Sequence, residues 1–133
     1  MNIVLWVLQV LLALAFFAHG LLFLMPPPEI AALMNESLPR WFQLFLGVAE
    51  ILAAVGLTLP GLTRVQPWLV PVAAAGVMIV MIGATVYHVY RGDPVSSAAT
   101  TFVLLLMATF VAYGRWRLSP IRQRSARAST VAA

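Results

Sequence analysis

Trp41 to Leu59 reads WFQLFLGVAEILAAVGLTL, nineteen residues with a single charged group, Glu50. That length is close to the roughly 20 residues a helix needs to cross a hydrocarbon core of about 30 Å. Three further stretches match it: Ile3 to Met25, Trp68 to Tyr90 and Val95 to Tyr113. Their ends are punctuated. Pro26, Pro27 and Pro28 close the first span, and Pro60 with Gly61 is expected to close the second, because proline lacks the amide donor. Arg91, Gly92, Asp93 and Pro94 form a tight turn between the last two, while Pro67 and Pro71 fall where the third helix starts and are tolerated there. Trp6, Trp41, Trp68, Tyr90, Tyr113 and Trp116 lie near span ends, as amphipathic rings do at headgroup level. The expected fold is all-α: an integral membrane four-helix bundle over residues 1–116, with spans at about 3–25, 41–59, 68–90 and 95–113.

Composition agrees. The 133 residues are 62% hydrophobic and 9% charged, against roughly 45–50% and 25% in soluble domains. A water-soluble body of this size has too little interior to hide so much apolar surface, so the lipid bilayer is the first partner. The first span exceeds the roughly 7–15 apolar residues of a signal peptide and no Lys or Arg precedes it, so it reads as a retained helix. The net charge of +4 comes from eight arginines and no lysine. Five of them fall between Arg115 and Arg127, behind the last span, which suits anionic headgroups better than nucleic acid. With no cysteine, thiolate chemistry and cysteine-held metal centres are excluded.

Four spans put both termini on one side. Six arginines lie there, with Arg64, against Arg40 and Arg91 on the other side, so the positive-inside rule predicts cytoplasmic termini. The outer loop holds Glu29 to Glu36, whose Ile30, Leu33 and Met34 suggest a short interfacial helix. Residues 117–133, rich in Arg, Ser and Ala, read as a disordered basic cytoplasmic tail.

Glu50 carries the most information, because an ionised acid at mid-bilayer costs about 3 kcal/mol. Gln43, Gly47, Glu50 and Ala54 follow at steps of four, three and four, a stripe of polar and small residues on one helix face. His19 of the first span, Tyr87 and His88 near the outer end of the third, and Thr101 of the fourth are the other candidates. They converge on the outer half of the bundle with Glu50 as a floor, a polar pocket suited to a quinone or another amphipathic ring. Glu50 also has a purely structural alternative, a neutral acid that fixes helix rotation. His88 is equally compatible with plain contact to headgroups and water, and Met78, Met81 and Met107 with packing. No metal site is expected from two histidines without carboxylates at ligand spacing, and no phosphate loop or nucleophile elbow occurs, so no catalytic residue is named.

Gly47, Glu50, Leu57 and Pro60, then Ala75, Gly76, Met81, Gly83, Ala84, His88 and Gly92, and finally Ala112 to Arg115, resemble the DoxX-like family of small four-helix membrane proteins. The resemblance implies a bundle in the bacterial cytoplasmic (inner) membrane. It also implies association with quinone oxidoreductase assemblies and with oxidative stress, some relatives acting as assembly factors. Glu50 and His88 match polar positions of the family pattern. Many relatives carry a lysine three residues after the first-helix glycine, whereas Gly20 is followed here by Leu21, Leu22 and Phe23. Without that lysine, Glu50 is expected to be protonated or hydrogen-bonded to His19.

Three functions follow as expectations. The first is a subunit that binds a small lipophilic molecule such as a quinone at Glu50, His19, His88, Gln43, Gly47, Tyr87 and Thr101. The second is a non-catalytic scaffold or assembly partner of a redox complex, and the third a small proton-coupled transporter. Four spans are few for a transport pathway, and a homo-oligomer would have to complete its walls.

Overall fold

The computed structural model describes residues 1–125 as five α-helices. Four are long and apolar enough to span a membrane: α1 (Asn2–Leu24), α3 (Arg40–Thr63), α4 (Leu69–Arg91) and α5 (Val95–Tyr113), the last prolonged by a π-helical turn at Gly114–Leu118. The short α2 (Pro28–Ser37) covers the segment where a short helix was expected. Pro28 occupies its first turn, where the missing N–H has no helical acceptor, and no residue of α2 is buried. Side chains such as Ile79, Val86 and Leu52 point outward with more than half their surface exposed, as a lipid-facing surface requires.

The helices associate as two antiparallel pairs, α1 with α3 and α4 with α5, joined mainly through α3 and α4. In the first pair burial runs the whole length: Leu5, Gln9, Leu12, Phe16, Gly20 and Phe23 on α1 face Gln43, Gly47, Glu50, Ala54, Leu57 and Gly61 on α3. The second pair is buried only in the half nearer the termini, at Val70, Pro71, Ala74, Val77 and Met81 of α4 and Ala108 and Val111 of α5. Among the described residues, a hydrophobic core therefore fills the terminal half of the bundle, built on Leu12, Phe16, Leu57, Val77 and Val111. Toward the α2 end the two pairs are less tightly closed.

Pro60 does not end its span. The helix runs on to Thr63 and stops at Arg64, which adopts the left-handed conformation (φ 56°, ψ 22°). The φ of proline is itself helical, so within a helix Pro60 removes only the bond to the Gly56 carbonyl and adds strain there, which packing overrides. The turn after α4 is as expected: Gly92 takes φ 68°, where a side chain would be strained, and the Asp93 amide donates to the His88 carbonyl. Of the segment read as a disordered tail, Arg117 and Leu118 belong to the π-helical turn. Farther along, the Arg124 amide donates to the Arg64 carbonyl at 3.0 Å. Residues 126–133 lie outside the described residues.

Candidate functional site

The α1–α3 crossing is set by two glycines. A Cβ on Gly20 would lie 2.9 Å from the Gly47 carbonyl oxygen, and one on Gly47 would lie 3.0 Å from the Gly20 carbonyl oxygen. Only two bare backbones fit at that distance. The contact brings the side chains next to it within reach of each other: His19 Nδ1 and Glu50 Oε2 are 2.7 Å apart. Glu50 is ten residues into α3, about 15 Å along the helix from its first residue. Its side chain is 3% exposed and that of His19 54%. The imidazole thus covers the acid on one side while more than half of its own surface stays exposed, and its ring and that of Phe23 meet in a T-shaped arrangement with centroids 4.8 Å apart.

The buried stripes of α4 and α5 change character toward the α2 end. Beyond Met81 the same face of α4 continues as Thr85 and His88, and before Ala108 the face of α5 carries Ser97 and Thr101. The Thr85 hydroxyl donates to that of Thr101 at 2.8 Å and ties the two helices together. Thr85, His88 and Thr101 are each only partly buried. Among the described residues, the α4–α5 pair thus has a polar inner surface in its loosely closed half and an apolar one in its tightly packed half.

The sequence-predicted residues fall into three groups. His19, Gly47 and Glu50 meet at the α1–α3 crossing. Thr101 pairs with Thr85 across α4 and α5. Tyr87 and His88 belong to a network at the α2 end, where the Tyr87 hydroxyl donates to the Ser37 carbonyl (3.1 Å) and receives a bond from Arg91 (2.9 Å). His88 Nδ1 lies 2.8 Å from Asp93 Oδ2, and Arg91 Nε lies 3.6 Å from the same carboxylate. Each histidine thus has a carboxylate partner: the His19–Glu50 bond is one of the two arrangements expected for Glu50, whereas Asp93, the partner of His88 from the turn five residues on, was not indicated by the sequence. Among the described residues, no group of three or more His, Asp or Glu side chains is placed to hold a metal ion.

Gln43 has a different task from the one its place on the stripe suggested. Fully buried, it donates to Asn35 Oδ1 (3.0 Å) and the Leu38 carbonyl (2.8 Å), and it accepts from Arg40 (3.2 Å). Arg40 also donates to the carbonyls of Phe23 and Leu24, both at 2.8 Å, which the end of α1 leaves without helical donors. Together they form a clasp that fixes the α2 segment over the ends of α1 and α3.

A second polar node was missed. At the terminal end Arg115 is 3% exposed; its Nε donates to Gln9 Oε1, one Nη to Asn2 Oδ1 at 2.6 Å, and the guanidinium lies over the Trp6 ring at 5.2 Å. Gln9 in turn donates to the Leu57 carbonyl at 2.7 Å, linking α1, α3 and the end of α5. The sequence signal was Gln9 itself, a polar residue in register with Leu5, Leu12 and Phe16. Counting Arg115 with the tail concealed its role. A shallow groove between Val10–Phe17 of α1 and Ala54–Thr58 of α3 is almost wholly apolar, and its one hydroxyl, on Thr58, donates to the Ala54 carbonyl at 2.9 Å. It offers no free polar group to orient a ligand.

No curated protein and no solved structure matches the chain. The model of the DoxX-like family matches residues 7–111, a span that takes in the Gly20–Gly47 crossing, the His19–Glu50 pair and the Thr85–Thr101 contact. With four membrane-spanning helices and that match over most of its length, the chain belongs to the DoxX-like family.

Proposed function

We propose that this DoxX-like membrane protein binds a small lipophilic molecule, a quinone or a compound of similar shape, in the half of the bundle nearer α2. The observation that carries the reading is the His19–Glu50 pair, a buried acid whose partner is half exposed. A glutamate that served only to fix helix rotation would be expected to have a buried partner. Here, among the described residues, the imidazole has no second protein partner at a depth where few polar groups exist, and the inner faces of α4 and α5 are polar in the same half of the bundle. Tyr87, His88 and Thr101 line the approach in this proposal, Gln43 supports it from behind, and no turnover is required. The charge pattern supports cytoplasmic termini and an opening toward the outer leaflet, and the family resemblance supports a bacterial inner membrane and a role in redox or oxidative-stress physiology.

The test is equilibrium binding of decyl-benzoquinone to the full chain in lipid nanodiscs. Wild type should bind, and Glu50→Ala should weaken binding by about tenfold or more, as expected when His19 loses the partner that orients it. Equal affinity in the two proteins would sink the proposal. A second reading, an assembly partner for a redox complex, has its own support. Gly76 and Gly83 lie seven residues apart on α4 with nothing within 4 Å of an added Cβ, an open face that another helix could approach closely. Stable co-purification of a membrane partner, lost in a Gly76→Leu/Gly83→Leu variant, is the result that reading expects.

A further inference from the structure

The His19–Glu50 pair specifies which kind of ligand atom it meets. Glu50 is almost completely buried, its one hydrogen-bonding side chain among the described residues is His19, and the chain has no lysine to balance it. A pair with net charge at this depth is costly, so the pair as a unit is neutral and holds one proton beyond a carboxylate and a neutral imidazole. That proton has two possible places. If it sits on Glu50, the acid donates to Nδ1 and the ring hydrogen must be on Nε2. If it sits on the ring, both nitrogens carry hydrogen. Either way Nε2 carries N–H. Among the described residues Nε2 has no protein acceptor, and an N–H facing hydrocarbon without a partner costs on the scale of a lost hydrogen bond.

We infer that His19 Nε2 is a hydrogen-bond donor and that the ligand presents a carbonyl oxygen to it, so the protein selects the quinone over the hydroquinone form of the same ring. The inference rests on the ligand-binding reading above and assigns His19 as the specificity-determining residue. A carbonyl oxygen accepts without bringing a donor of its own. A hydroquinone hydroxyl also accepts, but more weakly, and it must find an acceptor for its own hydrogen beside a carboxyl, Glu50, that is almost completely buried and has Oε2 taken up by His19. His19 touches the ligand, whereas Glu50 acts through it by holding the ring and its proton.

The experiment compares decyl-benzoquinone, its hydroquinone and its dimethoxybenzene analogue on the full chain in nanodiscs, with the infrared carbonyl stretch of the bound quinone as a second readout. The expected result is quinone binding about tenfold tighter than hydroquinone, the dimethyl ether weaker still, and a carbonyl band shifted to lower frequency. His19→Phe should abolish the shift and His19→Gln, whose amide can donate, should restore part of it. Hydroquinone binding as tightly as quinone, or an unshifted band in wild type, overturns the inference. If both forms bind equally and Glu50→Ala weakens both, the site stands and only the donor assignment falls. If neither form binds the wild-type protein, site and assignment fall together. Because the comparison of ligands is made on the wild-type chain, it holds even if a variant does not fold.

Discussion

Glu50 and Arg115 are two buried ionisable groups with opposite solutions to the same problem. Glu50 is hydrogen-bonded to His19 of the neighbouring helix. Arg115 is surrounded by neutral acceptors, Gln9 and Asn2, and the face of Trp6, with one Nη left without a partner among the described residues. Replacing Arg115 with Ala should destabilise the protein by about 1–3 kcal/mol, because it leaves the Gln9 and Asn2 side-chain oxygens without their donor. A thermal unfolding midpoint in detergent unchanged from wild type would contradict this. Glu50→Gln should keep a hydrogen bond to His19 and unfold near the wild-type temperature, whereas Glu50→Ala loses about 1 kcal/mol in the same assay. The depth of Glu50 was legible in the sequence because any acid in an apolar run of nineteen residues is conspicuous. The role of Arg115 was not, because an arginine just beyond a span looks the same whether it faces headgroups or folds back against another helix. Deciding between them needed the position of Gln9 and Asn2, 106 and 113 residues away in the chain.

Among the helices, the α1–α3 contact has the least tolerance. A methyl group on Gly47 would meet the Leu24 side chain at 2.9 Å and the Gly20 carbonyl at 3.0 Å. Gly47→Ala is therefore expected to cost about 1–3 kcal/mol from overpacking and to move His19 away from Glu50. Quinone affinity should fall with it even though Gly47 has no polar side chain, and wild-type affinity in a folded Gly47→Ala protein would argue that the crossing does not build the site. Span ends were readable to within a residue or two in α1, α4 and α5, since prolines, glycine and aromatic rings mark them independently of packing. The end of α3 was not, because proline's effect depends on its surroundings: a helix already held by tertiary contacts absorbs one lost bond. Gln43 was placed on the correct stripe, yet its partners come from the α2 segment, and a stripe says nothing about what lies above the end of a helix.

Across the molecule the organising feature is unequal closure, with a continuous α1–α3 seam beside an α4–α5 pair buried only toward the termini. Periodicity revealed the inward stripes, but the difference between the two halves depends on how pairs pack against pairs, which no single span encodes. Sidedness can be tested cleanly, because the protein lacks cysteine and each introduced thiol is unique. Glu36→Cys on α2 should react with a membrane-impermeant maleimide from the periplasmic side in intact cells, and Arg124→Cys only after lysis. The reverse pattern would invert the proposed orientation. The most direct test of the binding site is native mass spectrometry of the gently extracted protein from its own membrane, wild type beside Glu50→Ala. The account predicts a lipophilic carbonyl compound retained by wild type and lost from the variant. The same set of bound molecules in both, or phospholipid alone in wild type, would contradict it.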